Sequence, residues 1–176
     1  MILYVVILIS LTIFLWIFLP TAWGAPYIPS DIRKINGVLK WLELKSDEVV
    51  VDLGAGDGRV IILASLLYGS KSIGVEIDSI RYILAKFLIL LLGLKGKATV
   101  IKGDLYNFDL HNADVVMFYL LPESIQRLRP KLESQLRSGS KIVSFQFPIP
   151  SWISVFVDEE KKIFVYEIDD NRSTCL

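Results

Sequence analysis

The sequence predicts an α/β fold, with one N-terminal transmembrane helix ahead of a seven-strand sheet that is mostly parallel and ends in an antiparallel hairpin. Three observations lead to this prediction. Residues 1–19 carry no charged side chain. From about residue 30 onward, short apolar runs bounded by turn residues alternate with helical patterns. The last two apolar runs are joined by the turn "DEEK", which is typical of a hairpin.

The uncharged segment 1–19 has the length of one bilayer crossing, because a helix rises about 1.5 Å per residue and this segment would reach about 28 Å. A cleaved signal peptide is the alternative, but it requires a basic start, a shorter apolar core and a small-residue cleavage site, which only "AWGA" resembles. Basic residues such as Arg33 and Lys34 follow the segment and none precedes it. We therefore expect a single-pass protein of the cell membrane whose domain faces the cytoplasm.

Composition excludes several kinds of site and partner. Nineteen basic and nineteen acidic side chains give a net charge of zero, so no long-range field favours nucleic acid as a partner. The single histidine, His111, and the single cysteine, Cys175, are too few for a zinc-type cluster, so no metal is expected. The length of 176 residues leaves room for one domain.

After the apolar segment, residues 20–29 form a linker rich in proline and small residues, and the domain is expected to cover residues 30–170. Ser30 is the predicted N-cap of the first domain helix, "DIRKINGVLKWLEL". Alternation of strands and helices then predicts a parallel sheet with helices on both faces. The predicted strands are 48–54, 72–77, 98–103, 113–120, 141–147, 152–157 and 162–168, and the predicted helices are 59–68, 79–94 and 123–136.

Three alternate glycines, Gly54, Gly56 and Gly58, follow the first strand. Ligands of open α/β sheets bind beyond the carboxyl ends of the strands, and glycine lets the backbone approach them closely. A purely structural turn is the alternative. A dinucleotide loop has the spacing G-x-G-x-x-G, but here Arg59 occupies the third glycine position and Asp57 would lie near the phosphate. Acids in the loop repel a phosphate and favour a cationic ligand.

Three further acids stand at the carboxyl ends of predicted strands. Asp52 ends the first strand, and Glu76 ends the second, where a carboxylate can accept hydrogen bonds from both ribose hydroxyls of a nucleoside. Asp104 follows the third strand, where it can accept from an adenine amine while Leu105 offers its backbone amide. Each acid alone is equally consistent with a surface or capping role. The ordered set indicates a nucleoside that has cations but no phosphates, which describes S-adenosylmethionine.

At these residues the chain resembles the class I, Rossmann-like methyltransferases, whose first motif D/E-x-G-x-G-x-G matches "DLGAGDG". The strings "PYIPSD", "GVEID", "KGDL" and "FQFPIPSW" narrow the resemblance to small protein-lysine methyltransferases. These include broad-specificity archaeal enzymes and the mitochondrial enzymes that modify the c-ring protein of ATP synthase and the adenine nucleotide translocase. The resemblance covers about residues 25–152. It implies S-adenosylmethionine as the cofactor, bound by Tyr27, Pro29, Asp52, Gly54, Ala55, Gly56, Gly58, Glu76, Asp104 and Leu105.

Within that set, Tyr27 and Pro29 would close over the cofactor, although a proline-stiffened linker is the alternative. Methyl transfer to an amine requires positioning and a neutral nucleophile, and desolvation lowers the pKa of a lysine amine. After the fourth strand, "MFYLLPES" lacks the Asn/Asp-Pro-Pro-Tyr string of enzymes that methylate bases or glutamine. Tyr119, with the turn at Pro122, is the candidate acceptor-site residue, and its alternative role is an ordinary core aromatic.

The sequence thus predicts a membrane-anchored S-adenosylmethionine-dependent methyltransferase that modifies lysine side chains, with membrane proteins as the expected substrates. A methyltransferase for a membrane-dissolved quinone or lipid is one alternative, and a non-catalytic cofactor-binding membrane protein is another. The helix 79–94 is apolar on nearly every face from 87 to 92. It either packs between the sheet and its neighbours or contacts the membrane, the anchor or a second copy.

Overall fold

The computed structural model describes residues 2–18 and 30–169. Within these ranges the chain forms helices α1 to α5 and strands β1 to β7. In chain order they are α1 (Ile2–Phe18), α2 (Ile32–Trp41), β1 (Val49–Leu53), α3 (Arg59–Tyr68), β2 (Lys71–Glu76), α4 (Ser79–Leu91), β3 (Ala98–Lys102), β4 (Val115–Phe118), α5 (Pro122–Gln135), β5 (Lys141–Phe145), β6 (Phe156–Asp158) and β7 (Ile163–Glu167).

The strands form one seven-stranded sheet in the order β3-β2-β1-β4-β5-β7-β6. Strands β1 to β5 are parallel, and β7 pairs antiparallel with both β5 and β6. The predicted mostly parallel sheet and its C-terminal hairpin are therefore confirmed. The chain runs outward from β1 to β3 and then returns to β4 on the other side of β1. Loops at the carboxyl ends of β1 and β4 diverge there, which makes this edge the expected ligand site.

Alternation along the strands divides the core into two layers. On one face, Val50 of β1 packs with α2 and α3 in a buried cluster that also includes Val143 of β5. On the other face, Val51 packs with α5 and with Trp152. Helix α4 packs with α3 and β3 in a third, smaller cluster. Both faces of the central strands are thus covered, and the functional edge lies at their carboxyl ends.

The predicted transmembrane helix over residues 1–19 was wrong. In the part of the chain that the structure describes, no helix combines the length and the apolar character that a membrane crossing requires. Helix α1 has 17 residues, or about 26 Å at 1.5 Å per residue, and a bilayer's hydrocarbon core is about 30 Å thick. Absence of charge was a necessary criterion, but helix length decides the question. The expected cytoplasmic location of the domain stays a prediction.

Local interactions shift several predicted boundaries. The N-cap of α2 is Asp31 and not Ser30, because the Asp31 carboxylate accepts a hydrogen bond from Arg33 N at 2.8 Å. Strand β5 ends at Phe145, two residues earlier than predicted. The predicted strand 152–157 is reduced to the three residues of β6. The predicted linker at 20–29 lies outside the described residues.

Candidate cofactor and acceptor site

The loop after β1 has a backbone that only glycine adopts readily. Gly54, Gly56 and Gly58 have φ angles of 88°, 56° and 81°, all in the left-handed region that a Cβ disfavours. Gly58 also allows close packing, because a Cβ added there would lie 3.0 Å from the Cβ of Ala85 on α4. Gly54 is exposed at the carboxyl edge. The nearest atom to a Cβ added at Gly54 is the Leu120 Cδ2, at 3.8 Å. The loop is therefore tightly held at Gly58 and open at Gly54.

Strand β2 supports this loop through a glycine that the sequence analysis did not single out. A Cβ added at Gly74 would lie 2.6 Å from the Cβ of Ala55, which is shorter than any ordinary carbon contact. The backbone N–H groups of Gly54 and Ala55 both donate to the Val75 carbonyl, at 2.9 and 3.0 Å. A glycine inside the strand pattern "SIGVEI" is the signal that pointed to this close approach. The loop thus packs directly on β2.

Glu76, at the end of β2, is buried and links the loop to the next helix. Its Oε2 accepts from Gly56 N at 2.7 Å, and its Oε1 accepts from Asp78 N at 2.8 Å. A carboxylate offers about four acceptor positions, so about two stay available after these bonds. Glu76 therefore fits the predicted role at the ribose hydroxyls while it also orders the surrounding backbone.

Asp52 lies beneath the loop and is buried at 5% exposure. Burial raises its pKa from 3.8 to about 8, and the negative charges of Glu76 and Asp57 act in the same direction. A cation bound at this edge would favour the ionised carboxylate. S-adenosylmethionine has an ammonium and a sulfonium cation, so the acids present fit this cofactor.

Asp57 has a cationic partner that the sequence analysis missed. Arg59 Nε donates to Asp57 Oδ1 at 2.9 Å, and Arg59 Nη2 donates to Asp57 Oδ2 at 2.6 Å. Arg59 Nη1 also donates to the Ser30 carbonyl at 2.8 Å. The pair balances the charge of Asp57 and ties the glycine loop to the residue that precedes α2. The negative character available to a ligand therefore comes mainly from Glu76 and from ionised Asp52.

Asp104 and Leu105 follow β3, beside Glu76. Gly103 N donates to the Glu76 carbonyl at 3.0 Å, which keeps the two strand ends together. The Asp104 carboxylate accepts from Tyr106 N at 2.9 Å through Oδ1, so it caps its own turn as the alternative interpretation expected. Its Oδ2 makes no hydrogen bond to the described residues and faces no such constraint. Leu105 is partly buried against the core on the α5 side of the sheet.

The carboxyl ends of β4 and β5 form the acceptor side of this edge. Tyr119 directly follows β4 and is half-buried against the core cluster of α2 and α3. Pro122 is the exposed first residue of α5. The segments 119–122 and 146–152 contain no acidic or basic side chain. This uncharged half adjoins the acidic half at β1 to β3, and it would lower the pKa of an amine that entered it.

Gln146 is a further residue on this side that the sequence analysis assigned to a strand. Its φ of 73° is left-handed, a conformation that costs a non-glycine residue about 1–2 kcal/mol. Its backbone N–H donates to the Lys162 carbonyl at 2.7 Å, which holds the turn. Prolines at positions 148 and 150 in "FQFPIP" were the available signal for an early strand end. Strained polar residues of this kind concentrate at functional sites.

The structure brings eight of the ten predicted cofactor-binding residues to one edge of the sheet, from the loop after β1 to the turn after β3. The other two, Tyr27 and Pro29, lie outside the described residues. The individual roles of all ten, and that of Tyr119, stay predictions.

Comparison with known proteins adds to this geometry. The ANTKMT methyltransferase domain family matches residues 52–156. A protein-lysine N-methyltransferase from Saccharolobus islandicus is 37% identical over 128 residues, which cover 72% of this chain and 80% of that protein. The adenine nucleotide translocase lysine N-methyltransferase of Mus musculus is 27% identical over 157 residues, 88% of this chain and 68% of the mouse protein. A lysine N-methyltransferase of the ATP synthase c-ring protein from Xenopus laevis is 25% identical, and the chain spans 63% of its length.

Solved structures show the same architecture. An RNA methyltransferase from Salinibacter ruber in complex with S-adenosylhomocysteine superposes with a TM-score of 0.79 and 32% identity, over 81% of this chain and 95% of that chain. A SAM-dependent methyltransferase from Geobacter sulfurreducens, also with S-adenosylhomocysteine, gives a TM-score of 0.61 over 75% of this chain and 53% of that chain. At 23% identity the second likeness concerns the fold alone.

Proposed function

The chain belongs to the ANTKMT methyltransferase domain family and is an S-adenosylmethionine-dependent methyltransferase, and we propose that it transfers methyl groups to lysine side chains of proteins. The observation that carries this proposal is the 37% identity to the protein-lysine N-methyltransferase of Saccharolobus islandicus, across 80% of that protein. The relatives from Mus musculus and Xenopus laevis are also lysine N-methyltransferases.

Residues at the carboxyl edge are suited to holding the cofactor. The cofactor supplies a methyl group attached to a positively charged sulfur. Glu76 would accept hydrogen bonds from the ribose, and Asp104 would accept one from the adenine amine. Gly54 is exposed and without a Cβ, so it would allow the backbone to approach the ligand closely. Asp52 would place a negative charge beneath the cationic end.

The acceptor amine has to be neutral before it can react, and a lysine amine has an ordinary pKa of about 10.4. The uncharged segments beside β4 and β5 support the proposal because desolvation disfavours the ammonium form. Tyr119 and Gln146 are the polar side chains nearest the ends of these strands. An amide or phenol oxygen there would accept a hydrogen bond from the amine and orient its lone pair, while the proton leaves to solvent.

Methylation of RNA is a second candidate, favoured by the 32% identity and 95% coverage of the Salinibacter ruber RNA methyltransferase. Two properties of this chain oppose it. The net charge is zero, whereas binding to a polyanion depends on basic side chains. The segment after β4 also lacks the Asn/Asp-Pro-Pro-Tyr string that positions the amino group of a base.

Transfer of labelled methyl groups distinguishes these substrates. The full chain is incubated with methyl-tritiated cofactor and a cell extract, and label is measured in protein, RNA and lipid fractions. We expect label in protein and, after acid hydrolysis, in methylated lysine. Label in RNA or lipid alone would refute the proposal. Glu76→Ala should abolish incorporation, whereas Glu167→Ala, at the exposed end of β7, should leave it unchanged.

A further inference from the structure

Helix α4 carries a stripe of apolar side chains on its exposed side. They recur at the spacing i, i+3, i+4, i+7 that aligns residues along one helix face. The exposed fractions reach 57% at Phe87 and 66% at both Leu90 and Leu91. We call this set the α4 stripe: Ile80, Ile83, Leu84, Phe87, Leu90 and Leu91.

The α4 stripe does not belong to the core. The side chains through which α4 packs on the sheet are Ala85 and Ile89, together with partly buried Tyr82 and Leu88. The stripe lies on the other side of the helix and is left uncovered by the described residues. The interpretation of this helix as one packed between the sheet and its neighbours is therefore excluded. A continuous exposed apolar face of this kind marks an interaction surface.

Charge around the stripe is of one sign. Residues 79–103 contain five basic side chains and no acidic one, in a chain whose total charge is zero. Lys86 lies on α4, Lys95 and Lys97 lie in the turn after it, and Lys102 ends β3, and all four are exposed. Arg81 is the fifth. The surface is thus apolar along the helix and basic at its margins.

We propose that the α4 stripe docks on an anionic lipid surface. Helix α1 is another candidate to cover the stripe but has no charged side chain, so it would leave the lysines without counter-charges. A second copy of the chain would bring two basic margins together and repel. An anionic bilayer surface satisfies both properties, because acyl chains accept the apolar side chains and phosphate groups attract the lysines.

Docking through α4 would place the cofactor edge beside the lipid headgroups. Asp78 caps α4 by accepting from Ile80 N and Arg81 N, and its own N–H donates to Glu76. The helix that contacts lipid therefore begins close in sequence to the proposed ribose ligand. Because this step rests on the proposed lysine activity, the accessible lysines would be those close to a membrane surface.

A fluorescent probe on α4 tests the docking directly. The native cysteine is removed by Cys175→Ser, and an environment-sensitive fluorophore is attached through Leu90→Cys in the full chain. A matched control carries the probe through Val155→Cys, an exposed apolar position at the opposite edge of the sheet, beside β6. Each protein is mixed with phosphatidylcholine vesicles with or without phosphatidylglycerol. We expect a blue shift at position 90 only, and only with phosphatidylglycerol.

Every other outcome overturns the proposal in a recognisable way. Apolar emission from position 90 without vesicles, at any protein concentration, means that another part of the chain covers the stripe. Apolar emission that requires high protein concentration means a second copy. A shift at both labelled positions means unspecific adsorption. No shift in either vesicle means that α4 does not meet lipid. Because the probe is local, any lipid binding by α1 does not affect these conclusions.

Charge and apolar contact are then tested separately. Lys95→Gln with Lys97→Gln should raise the lipid concentration needed for the shift by about 30-fold, at about fivefold for each cation removed. Leu91→Ser with Phe87→Ser should raise it by at least about tenfold, whereas Val155→Ser with Val157→Ser should have no effect. Unchanged lipid dependence in the first two variants would refute the docking. Methylation of a soluble lysine-containing protein should be equal in all three, and its loss in all three would instead challenge the proposed function.

Discussion

Cofactor binding should release a proton from Asp52 at neutral pH. Burial, with the nearby charges of Glu76 and Asp57, raises the pKa of this carboxyl to about 8. At pH 7 about nine-tenths of the free protein then carries a proton on Asp52. The cations of S-adenosylmethionine favour the ionised form. If they lower the pKa to about 6, the protonated fraction falls to about one-tenth, and about 0.8 proton leaves for each cofactor bound.

Isothermal titration calorimetry measures this release. At pH 7, the apparent binding enthalpy in buffers of different ionisation enthalpy should vary linearly, and the slope gives the number of protons released. The affinity should rise with pH between about 6 and 8, by at most about tenfold per pH unit, and level off above pH 8. Asp52→Asn should remove the slope, and Asp47→Asn, at an exposed position in the turn before β1, should leave it unchanged.

The same enthalpy in every buffer would refute this reasoning about Asp52. A slope that persists in Asp52→Asn would assign the proton to another group. Stability of the cofactor-free protein provides an independent check. The unfolded chain has an Asp52 pKa near 3.8 and the folded chain one near 8, so the folded state binds the proton more tightly between these values. Raising the pH through this window should lower the free energy of unfolding by up to about 1.4 kcal/mol per pH unit, and urea denaturation of Asp52→Asn should lack this dependence.

Three further substitutions test the geometry of the site. Gly74→Ala forces a Cβ to within 2.6 Å of the Ala55 Cβ and should destabilise by about 1–3 kcal/mol. Gly37→Ala, in α2 with open space around it, should stabilise by about 0.5–1 kcal/mol, both measured by denaturant titration. Glu76→Gln should weaken cofactor binding by about 10- to 100-fold in calorimetry. Gln146→Gly should raise stability by about 1 kcal/mol through relief of the left-handed φ yet lower kcat, and unchanged kcat would exclude it from amine positioning.

Elements bounded by glycine or proline were predicted accurately because their signals are local. Helix α3 was predicted at 59–68 and is found there, since Gly58 and Gly69 both adopt left-handed conformations at its two ends. The hairpin region was predicted less well. There Trp152 donates through Nε1 to Glu133 on α5 at 3.3 Å, and Ile149 N donates to the Tyr166 hydroxyl at 2.8 Å. These contacts hold residues 149–152 in a turn, and a local apolar pattern carries no record of them.

Long-range pairings within the site were likewise beyond the reach of the sequence. The acids at the strand ends were predicted because parallel strands bring their carboxyl ends to one edge. The bonds from Arg59 to Asp57 and to the Ser30 carbonyl depend on how α3 meets the start of α2. The exposed α4 stripe gives the same lesson. Its apolar pattern is visible in the sequence, but only packing shows that the stripe faces away from the sheet.

Glu76 combines a structural role with its proposed role as a ligand, and this affects how its variants are interpreted. The carboxylate holds Gly56 N and Asp78 N through different oxygens, so its removal also frees the glycine loop and the cap of α4. Glutamine keeps one carbonyl oxygen and replaces the other acceptor by an NH2 donor, which would oppose one of these two N–H groups. Loss of binding in Glu76→Gln with an unchanged free energy of unfolding would isolate the ligand contact. A parallel loss of stability would instead show that the carboxylate contributes mainly by shaping the loop before any cofactor arrives.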